Sequence, residues 1–285
     1  MSTNTLTINN LTETGSKITM VGLGGEGVLR THMKMTQARE VIQMAVKQGI
    51  TYFDSARVYA DSEVYYGSVW RELSETRREI FQASKSASRD KAGALSDLEE
   101  TLERLETDYL DLWQIHDVRT ENDLKAISAP GGALEGFLDA KSSETVRFIG
   151  VTGHHDPAIL TKAVQEWPVD AVMMPVNPVE GILGGFLTST LPAAREKGIA
   201  IIGMKILGGS HYVHLKSGIT PQLLIRYALS QDITVAIVGC SSAEEVNTLA
   251  DTGRNFKPLS SDKSSQLLKV FEPHAKRMAY YRGVL

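Results

Sequence analysis

Short apolar runs alternate with amphipathic segments from residue 18 to about residue 250. The runs recur about every 30 residues, which is the size of one strand–helix unit. They lack the polar alternation of a strand with one solvent-facing side, as is typical of parallel strands covered on both faces. The predicted strands are Ile18–Leu23, Ile50–Phe53, Ile80–Ser84, Tyr109–Ile115, Val146–Val151, Ala171–Pro175, Ile199–Met204 and Ile233–Val238.

The segments between these runs carry helix signals. Two stripes have apolar residues at helical spacing, and a glycine stands where the first helix ends. Asp156-Pro157 and Thr220-Pro221 each pair an N-cap residue with a proline at the first helical position. The stripes are Ala38, Val41, Ile42 and Ala45 before Gly49, and Leu95, Leu98, Leu102 and Leu105.

Eight strand–helix units without a linker predict a closed (β/α)8 barrel, the TIM barrel, as a single α/β domain over residues 1–285. Within residues 5–20, Glu13-Thr14-Gly15-Ser16 lies between two β-prone runs and predicts a hairpin that closes the bottom of the barrel. After about residue 252 a C-terminal tail carries one helical stretch near Ser264–Glu272.

Composition narrows the function classes. The chain has 285 residues, 42% of them hydrophobic, and a net charge of −4, so no global field attracts nucleic acid or an anionic membrane. No apolar run approaches the length of a transmembrane helix. The single cysteine, Cys240, excludes an internal disulfide framework, a cysteine-based zinc site and an iron–sulfur cluster. We expect a soluble, cytoplasmic protein with a small-molecule partner and no metal.

Four polar residues follow neighbouring predicted strands. Asp54 and Tyr59 follow the second strand, Lys85 the third and His116 the fourth. Strand ends at one mouth of a barrel build its active site, so these side chains are expected to converge. A lysine beside a tyrosine stabilises the phenolate and lowers the tyrosine pKa. Asp54 would hold Lys85, and His116 would orient a carbonyl that accepts the proton.

Several segments resemble the motifs of the aldo-keto reductases. The segment Tyr52-Phe53-Asp54-Ser55-Ala56-Arg57-Val58-Tyr59 resembles their FDTAxxY signature, and the segments ending in Lys85 and His116 resemble their Lys and His motifs. The likeness continues over nearly the whole chain, at 149–152, 175–177, 204–208 and 237–245.

The resemblance implies an oxidoreductase that transfers hydride between a nicotinamide dinucleotide and an aldehyde or ketone, in either direction. It implies that Tyr59 is the general acid/base, that Lys85 and Asp54 tune it, and that His116 positions the carbonyl.

The resemblance also predicts a cofactor site at the ends of the later strands. Where many members have Ser-Asn, Gln and an aromatic ring around the nicotinamide, this chain has Thr152-Gly153, Met173 and Met204. The predicted cofactor-binding residues are Thr152, Gly153, Asn177, Met204, Lys205, Ile206, Leu207, Gly208, Gly239, Ser241, Ser242 and Glu245.

The choice between NADP and NAD stays open. Members that use NADP commonly place Lys and Arg around the 2′-phosphate, at positions that correspond here to Gly239 and Glu245. A carboxylate repels a phosphate dianion, whereas a ribose 2′-hydroxyl can donate to it. Glu245 also completes a capping box with Ser242.

Alternatives to a reductase remain. Gly22, Gly24 and Gly27 match the GxGxxG dinucleotide fingerprint, but no clean helix follows them. His116, His154, His155 and Asp54 fit a metal-dependent hydrolase, and Lys85 or Lys205 fits a Schiff-base aldolase. A barrel that binds cofactor and acts mainly as a partner or sensor is the alternative outside enzymology.

The substrate, the reaction direction and the oligomeric state are not readable from the sequence. The loops after strands one, four and seven and the tail should bound the substrate pocket. Candidate substrate contacts are Val28, Val118, His154, Tyr212 and Tyr281.

Overall fold

The structure, a computed structural model, describes residues 6–11 and 16–285. Within these residues, eight parallel strands close a barrel in chain order, so the predicted (β/α)8 fold is confirmed. A short antiparallel pair, β1 (Ile8–Asn10) and β2 (Lys17–Thr19), precedes the barrel. The barrel strands are β3 (Val21–Gly27), β4 (Tyr52–Asp54), β5 (Phe81–Ser86), β6 (Leu110–Ile115), β7 (Val146–Thr152), β8 (Ala171–Pro175), β9 (Ala200–Met204) and β10 (Val235–Cys240).

Helices cover the outside of the barrel and continue into the tail. They are α1 (Met35–Lys47), α2 (Ser62–Trp70), α3 (Ser74–Glu79), α4 (Lys91–Leu105), α5 (Glu121–Ser128), α6 (Ala133–Ser142), α7 (Pro157–Glu166), α8 (Pro178–Leu183), α9 (Leu191–Glu196), α10 (Pro221–Leu229), α11 (Ala243–Arg254), α12 (Ser261–Phe271) and α13 (Ala275–Met278). Within the described ranges, no helix combines the length and the apolar character needed to cross a membrane.

The apolar stripes and the N-cap residues predicted from the sequence lie on helices in the structure. The first stripe is buried along α1, and Gly49 follows that helix at a φ of 77°. Asp156 caps α7 by accepting from the Ala158 N–H at 2.8 Å, and Thr220 caps α10. In α4, Leu98 and Leu105 are buried. The predicted tail helix is α12, which begins three residues earlier than expected.

The first predicted strand, Ile18–Leu23, is two strands in the structure. The chain leaves β2 at Thr19, bends at Met20 and enters the barrel at Val21. The apolar pattern runs through the bend because residues on both sides of it are buried, so periodicity could not locate the break.

The hairpin plugs the amino-terminal end of the barrel. Leu11 and Ile18 belong to the same buried cluster as Tyr52 and Phe81 at the starts of β4 and β5. The Asn9 amide donates to the Thr234 carbonyl at 2.7 Å, just before β10. Positions 13–15 of the predicted turn lie outside the described residues. With this end closed, the carboxyl ends of the strands are left for a site.

Candidate active site

Asp54 and Lys85 form a buried ion pair at the carboxyl ends of β4 and β5. The Lys85 ammonium donates to both oxygens of the Asp54 carboxylate, at 2.8 and 2.7 Å, and to the Ser55 carbonyl at 2.6 Å. Both side chains are at most 2% exposed. Burial raises the pKa of Asp54 and lowers the pKa of Lys85, and the attraction within the pair opposes both shifts. The three hydrogen bonds therefore fix the positions of the ammonium and the carboxylate inside the barrel mouth.

Tyr59 lies in the turn after β4, beside this pair. Its ring centroid is 4.9 Å from the Lys85 nitrogen and 4.8 Å from the guanidinium carbon of Arg30. A Cβ on Gly25 would come within 2.6 Å of the tyrosine ring. The glycine backbone therefore lets Tyr59 pack directly against β3.

His116 completes the group of four residues that the sequence predicted to converge. Its ring meets the Tyr59 ring edge to face, with centroids 5.5 Å apart. Burial, with the Lys85 charge as a smaller cause, lowers the pKa of His116 to about 3. The imidazole is therefore neutral at physiological pH and keeps one N–H available as a donor.

The effect of Lys85 on Tyr59 differs from the expectation. Burial raises the pKa of Tyr59 well above its ordinary value, and the carboxylates of Asp54 and Glu26 raise it further. The predicted lowering is wrong because burial, the largest cause, raises the pKa of the Tyr59 phenol and the nearby carboxylates add to that shift. Tyr59 is consequently a fully protonated phenol at neutral pH.

Two cavities meet beside Tyr59. The first, of about 380 Å³, is called the cleft and runs from Tyr59 along residues 204–210 to Gly239, Ser241 and Glu245. The second, of about 570 Å³, is called the pocket and is bounded by His116, the loops after β3, β5 and β6, and the tail. Both cavities are lined by Glu26, Tyr59, Met173, Met204, Lys205 and Tyr280.

Most of the predicted cofactor residues lie along the cleft. The lining residues among them are Met204, Lys205, Ile206, Leu207, Gly208, Gly239, Ser241 and Glu245. Gly208 and Gly209 adopt φ values of 55° and 58°. A Cβ on Gly239 would come within 2.6 Å of Glu26. Backbone without side chains thus forms part of the cleft wall, which suits an extended ligand with a pyrophosphate.

Four predicted cofactor residues lie elsewhere. Thr152 lines the pocket and accepts from the Asp117 N–H at 2.8 Å. Gly153 is packed so that a Cβ would come within 3.0 Å of the Val118 carbonyl. The buried Asn177 caps α8 and donates to Tyr281 Oη and the Lys205 carbonyl. Ser242 caps α11 by accepting from the Glu245 N–H.

Glu245 lies in the first turn of α11 and lines the cleft. The Ser242 hydroxyl accepts from the Glu245 N–H, but the Glu245 carboxylate accepts from the Ser241 N–H at 2.6 Å, one residue before the N-cap, so the predicted capping box is only half formed. The carboxylate also faces the cleft. Within the described residues, Lys205 is the basic residue that lines the cleft.

Of the predicted substrate contacts, His154 and Tyr281 line the pocket. Val28 and Val118 are buried in the hydrophobic core instead. Tyr212 is also buried, and its hydroxyl donates to the Met278 carbonyl at 2.9 Å. The predictions for these three residues were wrong because the loops that carry them turn the side chains into the core.

Sequence reasoning missed several charged pocket residues. Arg89, Asp117 and Arg119 lie within a few residues after the third and fourth predicted strands. Their positions just beyond the strand ends are the signal that could have identified them. Arg30 lies in the 3₁₀ turn Val28–Arg30 after β3, where no pattern marked it. Tyr280 lines both cavities from the tail.

The glycines of the GxGxxG match are part of β3. A Cβ on Gly22 would come within 2.8 Å of the Tyr52 ring, and one on Gly24 within 3.0 Å of the Gly239 nitrogen. Close packing between neighbouring strands therefore explains these two glycines. Across residues 6–11 and 16–285, no group of three or more His, Cys, Asp or Glu side chains is placed to hold a metal ion.

The fold and the buried Lys–Asp pair beside a tyrosine and a histidine define a barrel oxidoreductase. The Aldo/keto reductase family matches residues 20–217. The chain therefore belongs to the aldo/keto reductase family, as its motifs predicted.

Curated relatives and solved structures agree with this assignment. The chain is 25% identical to L-galactose dehydrogenase of Arabidopsis thaliana, over 96% of this chain and 97% of that protein. It is 27% identical to the aldo-keto reductase YhdN of Bacillus subtilis, over 68% of this chain and 60% of that protein. The structure of aldo-keto reductase AKR11C1 from Bacillus halodurans superposes with a TM-score of 0.77 at 18% identity, covering 93% of this chain and 96% of that one.

A Klebsiella pneumoniae aldo/keto reductase, solved in complex with NADP and acetate, superposes with a TM-score of 0.73 at 19% identity. The alignment covers 93% of this chain and 95% of that chain. At this level of identity the likeness shows a shared fold.

Proposed function

We propose that this protein reduces a small aldehyde or ketone to an alcohol, using NADPH or NADH, with Tyr59 as the proton donor. The observation that carries the proposal is the position of Tyr59 where the cleft and the pocket meet, between His116 and the Lys85–Asp54 pair. A carbonyl in the pocket and a nicotinamide in the cleft would both reach this point.

Each of the four side chains has a separate role in proton transfer. His116, neutral and close to Tyr59, donates a hydrogen bond that orients the carbonyl oxygen. The Tyr59 phenol gives its proton to that oxygen as negative charge develops there. The Lys85 ammonium then stabilises the phenolate left behind, and Asp54 keeps the ammonium in position. The nicotinamide, when bound, supplies the hydride that none of these side chains can provide.

The cleft fits a nicotinamide dinucleotide along its length. Met204 lines the end beside Tyr59 and offers a polarizable side chain for contact with a flat ring. Backbone at Gly208, Gly209 and Gly239 would approach the pyrophosphate. The far end, at Ser241 and Glu245, would hold the adenosine. The Klebsiella pneumoniae relative in complex with NADP supports NADP as one candidate, and the Glu245 carboxylate favours NAD.

The proposal also covers the domain organisation and the location of the protein. We place the whole chain in a single barrel domain, and the one cysteine, which is buried, suits a reducing, cytoplasmic location. No geometry favours the hydrolase, because the described residues bring no metal-ligand group together.

The test is parallel binding titration with NADH and NADPH, followed by turnover on a panel of aldehydes and ketones with the tighter cofactor. We expect saturable cofactor binding and consumption of the reduced cofactor with at least one carbonyl. Tight cofactor binding with negligible turnover across the panel would instead favour the partner or sensor alternative.

A further inference from the structure

The pocket has an excess of positive charge. Its charged lining residues are Glu26, Arg30, Arg89, Asp117, Arg119 and Lys205. Three of the four cations are already paired: Arg30 with Glu26 at 2.7 Å, Arg119 with Asp117 at 2.5 Å, and Arg89 with Asp123 at 2.9 Å. Both acidic lining residues are thereby used, and Lys205 has no ion-pair partner among the residues that the structure describes.

Lys205 is held at the junction of the cleft and the pocket. It follows β9 directly, is half-buried, and has a φ of 56°, a left-handed conformation that is uncommon for a residue with a side chain. The Asn177 amide and the Gly208 N–H both donate to its carbonyl, at 3.1 Å each. These bonds compensate for the strained backbone and fix the direction from which the side chain leaves the strand.

The Lys205 ammonium acts on the pocket side. Burial lowers the pKa of His154, Asp117 opposes that shift, and the positive charge of Lys205 lowers it further. His154 lines the pocket and not the cleft. Lys205 itself lines the pocket together with His154, so its charge lies beside a bound substrate.

We infer that Lys205 is a specificity-determining residue that binds an anionic group, most simply a carboxylate, on the carbonyl substrate. The inference rests on the proposed function, since it assumes that Tyr59 and His116 hold the carbonyl. On the pocket side, a substrate carboxylate would form an ion pair with this half-buried ammonium, whereas a neutral substrate would not. The substrate class is then a carboxylated aldehyde or ketone.

The kinetic test compares carboxylates with their neutral amides. 4-Formylbenzoate is measured against 4-formylbenzamide, and 4-oxobutanoate against 4-oxobutanamide, so that two spacings are covered. We expect kcat/KM to favour the carboxylate at least tenfold for one pair. Lys205→Met should remove most of that preference, and Lys205→Arg should retain it. Lys269→Met, which removes an exposed lysine of α12 outside both cavities, should leave the ratio unchanged.

A binding test separates this inference from the proposed function. The protein saturated with the tighter oxidised cofactor is titrated calorimetrically with 4-(hydroxymethyl)benzoate and with 4-(hydroxymethyl)benzamide. We expect tighter binding of the carboxylate, lost in Lys205→Met. Equal binding of the two compounds overturns the inference, as does a Lys205→Met variant that loses cofactor affinity with its carboxylate preference intact. Failure to turn over any carbonyl counts against the reductase alone, because the titration needs no turnover.

Discussion

The Lys85 ammonium donates to both carboxylate oxygens of Asp54, and the two side chains are almost completely buried. Removing one partner of such a pair leaves an uncompensated charge in the interior, which costs about 3–5 kcal/mol. We therefore expect Lys85→Met to lower the free energy of unfolding by that amount in urea titrations. It should also lower kcat by at least roughly 10²-fold, the lower end of what a positioned proton donor contributes.

The double variant Lys85→Met with Asp54→Asn separates these two effects. Because it removes both charges, it should regain much of the lost stability and none of the activity. If Lys85→Met is as stable as the parent, the burial argument is wrong, and if the double variant regains activity, Lys85 has no role in proton transfer.

His116 makes the stability of the protein depend on pH below neutrality. Its pKa is lowered to about 3 in the folded protein, mainly by burial, whereas in the unfolded chain it is ordinary. Between these values the unfolded state binds one more proton at this site, so stability falls as the pH drops from about 6.5 toward 3. The contribution approaches about 1.4 kcal/mol per pH unit.

The measurement is urea unfolding of the parent and of His116→Gln between pH 4.5 and 6.0. The slope of unfolding free energy against pH should be shallower in the variant by nearly one proton. Equal slopes for the parent and for His116→Gln would show that His116 has the same pKa in the folded and unfolded states, which would contradict the prediction.

The tail is attached to the barrel through Glu180 of α8. Tyr281 Oη donates to its carboxylate at 2.7 Å, and the Arg282 guanidinium forms an ion pair with it. Glu180 is fully buried and Arg282 nearly so. We expect Arg282→Met to cost about 3 kcal/mol of stability. Because Tyr280 and Tyr281 line the pocket, it should also raise KM for the carbonyl more than the Kd of the cofactor.

Hydrogen exchange of residues 279–285, together with urea unfolding, checks this attachment. Faster exchange confined to the tail is the expected signature, and Glu180→Gln with Arg282→Met should recover part of the stability. A variant with normal exchange and normal KM would show that the tail docks without the ion pair.

Glu245 should influence cofactor choice. Its carboxylate faces the far end of the cleft and also accepts from the Ser241 N–H just before α11. Glu245→Gln keeps an oxygen to accept from the Ser241 N–H and removes the charge, so affinity for NADPH relative to NADH should rise about threefold to fivefold, as for an exposed charge pair. Fluorescence titration with both cofactors measures the ratio. The neighbouring Glu244→Gln, which lies outside the cleft, is the control, and an equal change there would make the effect one of helix charge.

The barrel and its four central polar residues could be predicted because each leaves a local signal. Buried parallel strands are continuous apolar runs, and Asp54, Lys85 and His116 directly follow such runs. The amino end of the first strand was misplaced, since burial continues across the bend at Met20.

The walls of the site were harder to predict because loop geometry determines them. Val28 and Val118 follow strand ends as real pocket residues do, yet their loops turn them into the core. Asn177 matched a family motif, but its amide is used to connect the tail, α8 and the Lys205 carbonyl. The pKa of Tyr59 is raised mainly by burial and then by the Asp54 and Glu26 carboxylates, and spacing along the chain reveals neither effect.

The most direct test of proton donation by Tyr59 is the single-turnover rate of Tyr59→Phe with saturating reduced cofactor and an accepted carbonyl, measured beside the cofactor Kd. The account predicts a rate lower by roughly 10²–10⁴-fold with Kd nearly unchanged, because the variant loses only the phenol oxygen. A variant that reduces the carbonyl as fast as the parent would contradict it.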